Sequence, residues 1–538
     1  MLETAPLDWL REPPAGRGLS FAGPGETWDY WSYASLARLT LRAAAALAQR
    51  GVRRDDVVAI VQRSGPSFPA TLFGALAAGA TPCCMPPPFV YQNPGEYATH
   101  VAHLIGSAHP ALVVADPDAV ERLVPVTRNL GLPDPVCFSE LVEGAEPMAE
   151  PAPSPRYALL QFTSGSSGYS RGVLVTNAAL RANLAGIQHW LEWTPDCPGV
   201  TWLPMHHDMG LVGCLINGVT TCSPGWIMQP GDFIRSPLRY LTALSENRAQ
   251  MTAIPNFGLV HILRRIKPAQ LEELRFDALR VVVLGAERID PVVLEGVEKL
   301  LGPYGFDWRA LVPAYGGAEA TLAVTGLRPG TGWIAKVPPD GTSRISVVGC
   351  GQSLGSATVT VVDDARRPVP EGVVGEITVT GSSVAAGYTG DPGTASGTSI
   401  ENGTLRTGDA GFMSEGQLFV LGRLGDGLKL NGKMIFAESL EARLRERGVP
   451  ERRAAVLLGM RDGTPTGVAV LDKGEPGWAS TALEILREEL SGAEVLVVNL
   501  PRGGLQVTSS GKPRRRVMWR SFCADGLTAR QVLRAAQA

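Results

Sequence analysis

Residues 157–172 read YALLQFTSGSSGYSRG, an apolar run that breaks into a loop of Thr, Ser and Gly and closes on Arg171. The run Tyr157–Phe162 has the length and apolar character of a buried strand. Gly165, Gly168 and Gly172 let backbone approach a ligand without interference from a Cβ. The hydroxyls of Thr163, Ser164, Ser166 and Ser167, with consecutive N–H groups, suit the oxygens of a phosphate, and a guanidinium stands behind them. The loop is not a Walker loop, because no Gly-Lys-Ser/Thr closes it. A plain surface turn is the competing reading of such a Ser/Gly cluster.

Downstream segments carry further reactive groups. Lys512 lies in VTSSGK (507–512), a Ser/Gly-rich turn from which a flexible ammonium can swing over an anionic group. A solvated surface lysine is the ordinary alternative, but the chain has only seven lysines. Glu319 follows Tyr315-Gly316-Gly317-Ala318, and a single carboxylate with substrate oxygens is a common way to hold Mg²⁺. A helix-capping role near Ala318 is compatible with it. Asp409 in LRTGDAGF (405–412) offers a charged acceptor suited to a diol, or an ordinary Asx turn. His207 in WLPMHHDMGL (202–211) is a hydrogen-bond donor for a carboxylate when neutral. No GxSxG elbow with triad partners occurs, so a hydrolase is not indicated.

In their order and spacing, TSGSSGYSRG, WLPMHHDMGL, LGAER (284–288), PAYGGAEATL (313–322), LRTGDAGF, LGRLGDGLKLNGK (421–433) and VTSSGK strongly resemble the adenylate-forming superfamily of acyl-CoA synthetases, luciferases and peptide-synthetase adenylation domains. Within it the chain is most similar to the fatty acyl-AMP ligases, through WLPMHHDMGL, PNFG (255–258), YGGAEATL and SSVAAGY (382–388). The resemblance covers nearly the whole chain. It implies an enzyme that uses ATP and Mg²⁺ to convert a carboxylic acid to an acyl-adenylate, passing the acyl group to an acyl carrier protein or a thiolating partner enzyme.

Residue by residue, it implies Lys512, His207 and Arg171 as catalytic, and a nucleotide site of Thr163, Ser164, Gly165, Ser166, Ser167, Gly168, Gly285, Ala286, Glu287, Ala314, Tyr315, Gly316, Asp409 and Arg423. Tyr315 would stack on adenine and Asp409 would take the ribose hydroxyls. Glu319 and Thr163 would hold the metal. Met209, Gly210, Cys214, Phe233, Asn256 and Phe257 are the implied acyl pocket, and Gly425 the hinge.

The departures from the family pattern are informative. Ser170-Arg171 replaces the usual Pro-Lys, and Arg serves phosphate through bidentate contacts. Asn177 stands where many relatives carry His. Gly425 occupies the hinge position that usually carries Lys or Asp, which leaves adenylation intact and bears on the thiol-transfer pose. The segment that would distinguish acyl-AMP ligases from CoA ligases is Leu327–Arg344, which is short and rich in Pro and Gly. The alternatives are an acyl-CoA synthetase, a catalytically silent nucleotide-binding partner subunit, or transfer to a nitrogen nucleophile.

These groups need a scaffold, and 538 residues are too many for one core. Strands expected at Asp56–Gln62, Thr81–Met85 and Ala111–Ala115 alternate with helices at Tyr33–Arg50 and Ser67–Gly79, which predicts an α/β fold with a mainly parallel sheet. Glu143–Pro155 reads as a linker. A second such block carries strands at Gly199–Leu203, Met251–Ile254, Val281–Leu284 and Arg309–Pro313. Short β-branched runs over about 345–421 predict an antiparallel, barrel-like subdomain. Residues 1–424 thus form an N-terminal domain of two αβαβα-type sheet subdomains plus the barrel-like part. The residues beyond Gly427 read as β-α-β-β-α, enough for a small separate α+β domain, and the resemblance implies that residues 425–538 form a mobile lid carrying Lys512.

Net charge is −3, which gives no field for nucleic acid. The start of the chain has no apolar signal core, Pro69–Val90 reads as a buried helix and strand with no membrane span, and the eight cysteines form no CxxC or metal spacing. A reducing cytoplasm is expected, and the oligomeric state stays open.

Overall fold

The computed structural model describes residues 5–88, 94–163, 170–339, 341, 345–390, 397–430, 433–508, 511–524, 526–527 and 531–534. The α/β architecture read from the sequence is the one found. A seven-stranded sheet runs in the order Gly387–Tyr388, Gly172–Thr176, Tyr157–Phe162, Thr81–Cys84, Val57–Val61, Leu112–Ala115 and Val136–Cys137. From Tyr157–Phe162 onward the pairings are parallel, whereas Gly172–Thr176 turns back antiparallel on Tyr157–Phe162.

Helix Tyr33–Gln49 begins where the Ser32 hydroxyl accepts a hydrogen bond from the Ser35 N–H at 3.1 Å. It ends at Gly51, whose φ of +87° is the left-handed conformation glycine tolerates. The alanines of this helix have a packing reason. A Cβ on Gly74, in helix Ser67–Ala77, would lie 2.9 Å from the Ala43 Cβ and 3.1 Å from the Thr40 carbonyl, so the two helices touch nearly backbone to backbone.

The second sheet has nine strands, in the order Gln352–Ser353, Ala323–Gly326, Leu311–Gly316, Val281–Leu284, Met251–Ile254, Gly199–Thr201, Gly225–Ile227, Gly18–Ala22 and Trp28–Ser32. Its last two strands correct the sequence reading. The N-terminal segment carries the hairpin Gly18–Ala22/Trp28–Ser32, and this pairs in parallel with Gly225–Ile227 of the second sheet. The hairpin is held there by burial: Leu19 and Phe21 are each 3 % exposed and belong to the same buried cluster as Leu215 and Ile216.

Between the sheets and the C-terminal part lies an antiparallel five-stranded sheet of Thr358–Val362, Gly375–Thr380, Thr404–Ser414, Ser399–Glu401 and Gln417–Arg423. The long strand Thr404–Ser414 is shared. Ser399–Glu401 pairs with its first half and Gln417–Arg423 with its second, across a register shift at Ala410/Gly411.

The C-terminal part is richer than β-α-β-β-α. It opens with the hairpin Gly427–Leu430/Lys433–Phe436 and helix Ala437–Glu446. A sheet of Ala454–Arg461, Thr464–Asp472, Glu494–Leu500 and Gln531–Arg534 follows, covered by helices Pro476–Glu489 and Arg515–Cys523. Glu494–Leu500 pairs in parallel with Thr464–Asp472 through the intervening helix, a crossover that local patterning does not reveal. Among the described residues no helix is long and apolar enough to cross a membrane.

Candidate active site

The C-terminal ends of parallel strands from both sheets open on one cavity of about 1480 Å³, the position at which open α/β sheets bind ligands. Thr163 follows Tyr157–Phe162, Pro255 follows Met251–Ile254, Gly285 follows Val281–Leu284, and Tyr315 is near the end of Leu311–Gly316. All of these line the cavity, together with Arg171, His207, Ala286, Glu287, Ala314, Gly316, Glu319, Asp409, Arg423 and Lys512. Residues separated by some 350 positions in the sequence are thereby brought into one cavity. Ser164, Gly165, Ser166, Ser167 and Gly168 lie outside the described residues.

One end of the cavity is polar. Asp409 and Arg423 face each other as cross-strand partners and form an ion pair of 3.0 Å between Nε and Oδ1. The Tyr315 hydroxyl donates to the other Asp409 oxygen at 2.7 Å. The Asp409 charge pushes the guanidinium of Arg423 up, and burial followed by Asp409 pushes the Tyr315 phenol well up, so the guanidinium stays charged and the phenol neutral at pH 7. Glu287 accepts from the Phe257 N–H at 2.5 Å, and its burial raises the carboxyl pKa.

Arg171 does more than stand behind a loop. Its guanidinium lies 3.7 Å from the ring centroid of Tyr388, its Nη2 donates to the Thr398 carbonyl at 3.1 Å, and its N–H donates to the Thr163 hydroxyl at 3.2 Å. Tyr388 in turn donates to Glu319 at 3.2 Å. Thr163, Arg171, Tyr388 and Glu319 are thus one connected set. Asn177 has a local role, donating from Nδ2 to the Pro155 carbonyl at 2.6 Å at the start of helix Asn177–Leu191.

Lys512 enters from the C-terminal part on a tight loop. Its N–H donates to the Thr508 hydroxyl at 3.1 Å, and the Thr508 N–H donates back to the Lys512 carbonyl at 2.8 Å. Burial pulls the ammonium below its ordinary 10.5, while Glu287, Asp208 and Asp409 pull the other way. Burial, and then the charge of Lys512, pushes His207 down to about 4, so the imidazole is neutral at pH 7. Its Nε2 is buried with no hydrogen-bond partner among the described residues. Asp208 accepts from the Met209 N–H at 2.8 Å and caps the π-helix Met209–Ile216. Such π turns are frequent at functional sites.

The other end of the cavity is apolar, lined by Met209, Gly210, Cys214, Phe257, Trp202 and Trp226. Gly210 is required there, since a Cβ would lie 2.5 Å from the Pro204 carbonyl oxygen. Phe233 and Asn256 do not line the cavity. Phe233 stacks behind Trp202 at 3.9 Å, fully buried, and Phe257 meets the same indole edge-on at 5.6 Å. Asn256 is buried and accepts from the Asp290 N–H at 3.0 Å, bracing the neighbouring loop. Trp202, at the head of the WLPMHHDMGL segment, is the wall residue that motif reading passed over.

Gly425, in the single turn Leu424–Asp426, does not itself line the cavity, and its neighbourhood explains the glycine. A Cβ there would lie 1.5 Å from Nη2 of Arg516, so the guanidinium rests on the bare backbone. Arg516 pairs with Asp426 at 3.6 Å, and Arg515 pairs with Asp426, Glu438 and Glu441 at 3.3, 2.9 and 2.7 Å. Burial pushes the Glu438 carboxyl up to about 7. We expect Gly425→Ala to turn Arg516 aside and lower stability by about 1 kcal/mol, the worth of one such polar contact. Faster proteolytic cleavage near residues 424–426 with an unchanged far-ultraviolet spectrum is the expected readout. Cleavage at the wild-type rate would remove the contact from the account. Sequence reading missed this cluster because Asp426, Glu438, Glu441 and Arg515 meet only after the hairpin folds back.

Three comparisons with known proteins bear on this site. The profile of the AMP-binding enzyme family matches residues 12–389. A protein of Caulobacter vibrioides named "Putative acyl-CoA synthetase" is 29 % identical, over 80 % of this chain and 80 % of that one. The 4-hydroxyphenylalkanoate adenylyltransferase of Mycobacterium tuberculosis is 27 % identical, over 92 % of this chain and 86 % of its own. A solved structure from work on the fatty acyl-adenylate ligases of E. coli and L. pneumophila is 25 % identical, covers 97 % of both chains and superposes with a TM-score of 0.87.

Proposed function

The chain belongs to the AMP-binding enzyme family, and from that premise we propose that it activates a hydrophobic carboxylic acid with ATP to an acyl-adenylate, releasing pyrophosphate. The observation that carries this reading is one cavity with two chemically different ends and a lysine between them. The Tyr315, Asp409 and Arg423 set closes the polar end, and tryptophans and Met209 line the other.

In the reaction a carboxylate oxygen of the acid attacks the α-phosphorus of ATP. The bond from that phosphorus to the oxygen bridging toward the β-phosphate breaks, and pyrophosphate leaves with the electron pair. No proton is transferred in this step. Lys512 offsets the charge where two anions meet, and the neutral His207 donates a hydrogen bond to the incoming carboxylate. Asp409 accepts from both ribose hydroxyls, as an acceptor-only group suits a diol, and Arg423 holds Asp409 in place. Tyr315 and the small residues Gly285 and Ala286 flank the adenine, with Ala314 and Gly316 on the same wall.

Among the described residues no three metal-ligating side chains cluster. Mg²⁺ is commonly held by one or two carboxylates plus phosphate oxygens. Glu319, with the Thr163 hydroxyl, would hold it against the phosphates, where it neutralises charge. Arg171, stacked on Tyr388, faces the same oxygens. Residues 425–538 act as the lid that delivers Lys512.

The test is ATP–pyrophosphate exchange across a panel of fatty, aryl-alkanoic and polycyclic acids, with mass-spectrometric trapping of the adenylate. Exchange that depends on an acid supports the reading, and none with any acid sinks it. The acceptor is the second question. We propose a holo carrier protein or a partner enzyme. The relative named as an acyl-CoA synthetase keeps CoA as the competing acceptor, and thioester formation with each thiol in parallel separates them.

A further inference from the structure

Arg452 lies between the acyl end of the cavity and the lysine loop, and no motif assigns it. It follows helix Ala437–Glu446 and precedes strand Ala454–Arg461, on the C-terminal part of the chain. Its guanidinium lies 3.9 Å from the ring centroid of Phe257, which belongs to the N-terminal part and lines the apolar end. On its other side is Gly511, the residue before Lys512. A Cβ on Gly511 would come within 2.9 Å of the guanidinium carbon and of Nη1, so the planar group is pressed against bare backbone. Arg452 also carries a φ of +62°, a conformation that a non-glycine residue adopts only where its surroundings hold it.

We propose that Arg452 is a positioning residue for Lys512: clamped between the Phe257 ring and the Gly511 backbone, it sets the lysine loop according to the state of the acyl pocket wall. The inference rests on the adenylation reading above and adds to it a link between the two ends of the cavity. Phe257 meets Trp202 edge-on at 5.6 Å, and its N–H donates to Glu287. A chain that fills the apolar end therefore presses on the same ring that the guanidinium stacks on. Lys512 is then held over the reacting oxygens when an acid of sufficient length is present. An acid too short to reach Phe257 leaves the loop less well placed.

The choice of a planar cation follows from this arrangement. A guanidinium stacks on an aromatic face and lies flat on a peptide at the same time, whereas an ammonium does neither well.

The experiment measures acid-dependent pyrophosphate exchange for Arg452→Ala, Arg452→Lys, Phe257→Leu and Lys512→Ala, and for the doubles Arg452→Ala/Phe257→Leu and Arg452→Ala/Lys512→Ala. Arg452→Ala should lower kcat about tenfold, the size of a partly buried cation–π contact, with KM for ATP unchanged. Arg452→Lys should recover part of the loss. The Phe257 double should be no slower than the slower single, and the Lys512 double no slower than Lys512→Ala. Equal losses from Arg452→Ala with and without Lys512 overturn the inference, as does wild-type kcat in Arg452→Ala. A Lys512→Ala protein as active as wild type removes Lys512 from the chemistry and overturns the inference with it, whereas no acid-dependent exchange in the wild type sinks the adenylation reading itself, which is a separate result.

Discussion

Lys512→Ala lowers acid-dependent ATP–pyrophosphate exchange by about 10²–10³-fold, the scale for one preorganised electrostatic group in a site of this kind. The argument starts from position. The lysine loop is closed on itself by the reciprocal Thr508 bonds, so removing the side chain leaves the backbone in place. What disappears is the charge between the two ends of the cavity. KM for ATP should change little, because the ribose and adenine walls do not include this group, and excess ATP should not restore the rate.

The same lysine sets a pH limb. Burial holds its pKa below 10.5. On the proposed reading the cation is the working form, so activity should be retained below that lowered pKa and lost as pH rises through it. Lys512→Arg, always protonated, should move the alkaline limb out of the accessible range. His207, pushed down to about 4, adds no acid limb near neutrality. An alkaline limb at the same pH in wild type and Lys512→Arg would remove Lys512 from the assignment.

What the sequence yields here has a physical boundary. Strands such as Val281–Leu284 and Tyr157–Phe162 were legible because buried parallel strands read as short apolar runs ended by Gly or Thr. The cavity-lining residues Arg171, Glu319 and Lys512 were legible because each sits in a turn or loop motif with its own composition, and Asp409 because Arg-Thr-Gly-Asp stands out within its strand Thr404–Ser414. Burial behind a wall is different: Phe233 and Phe257 look alike in sequence, yet one stacks behind Trp202 and the other fronts the cavity. Long-range pairing is also silent. The hairpin Gly18–Ala22/Trp28–Ser32 joins Gly225–Ile227 across some 200 residues, and no local pattern encodes that choice of sheet. The meaning of Gly425 was hidden for a similar reason, since its partner Arg516 arrives from the far end of the chain.

Asp409→Ala should fail in the opposite way from Lys512→Ala. It removes the proposed ribose acceptor and the countercharge of Arg423 together. Two charge-assisted hydrogen bonds are worth about 3 kcal/mol, so KM for ATP should rise about 100-fold, and saturating ATP should recover much of kcat. Stability falls as well, because Arg423 loses its 3.0 Å partner and Tyr315 its acceptor. Breaking a fully buried pair costs about 3–5 kcal/mol. The Arg423 side chain is 37 % exposed, and solvent screening reduces that to about 2 kcal/mol. Tyr315→Phe isolates one part of this. It keeps the ring for adenine and removes a single hydrogen bond, about 1 kcal/mol, so KM should rise only a few-fold. Asp409→Ala with wild-type KM for ATP would take the ribose assignment away and leave Asp409 as the anchor of Arg423 alone. The two variants therefore divide the cavity by kinetics, one loss cured by nucleotide and the other not, a division expected if binding and chemistry are carried by separate walls.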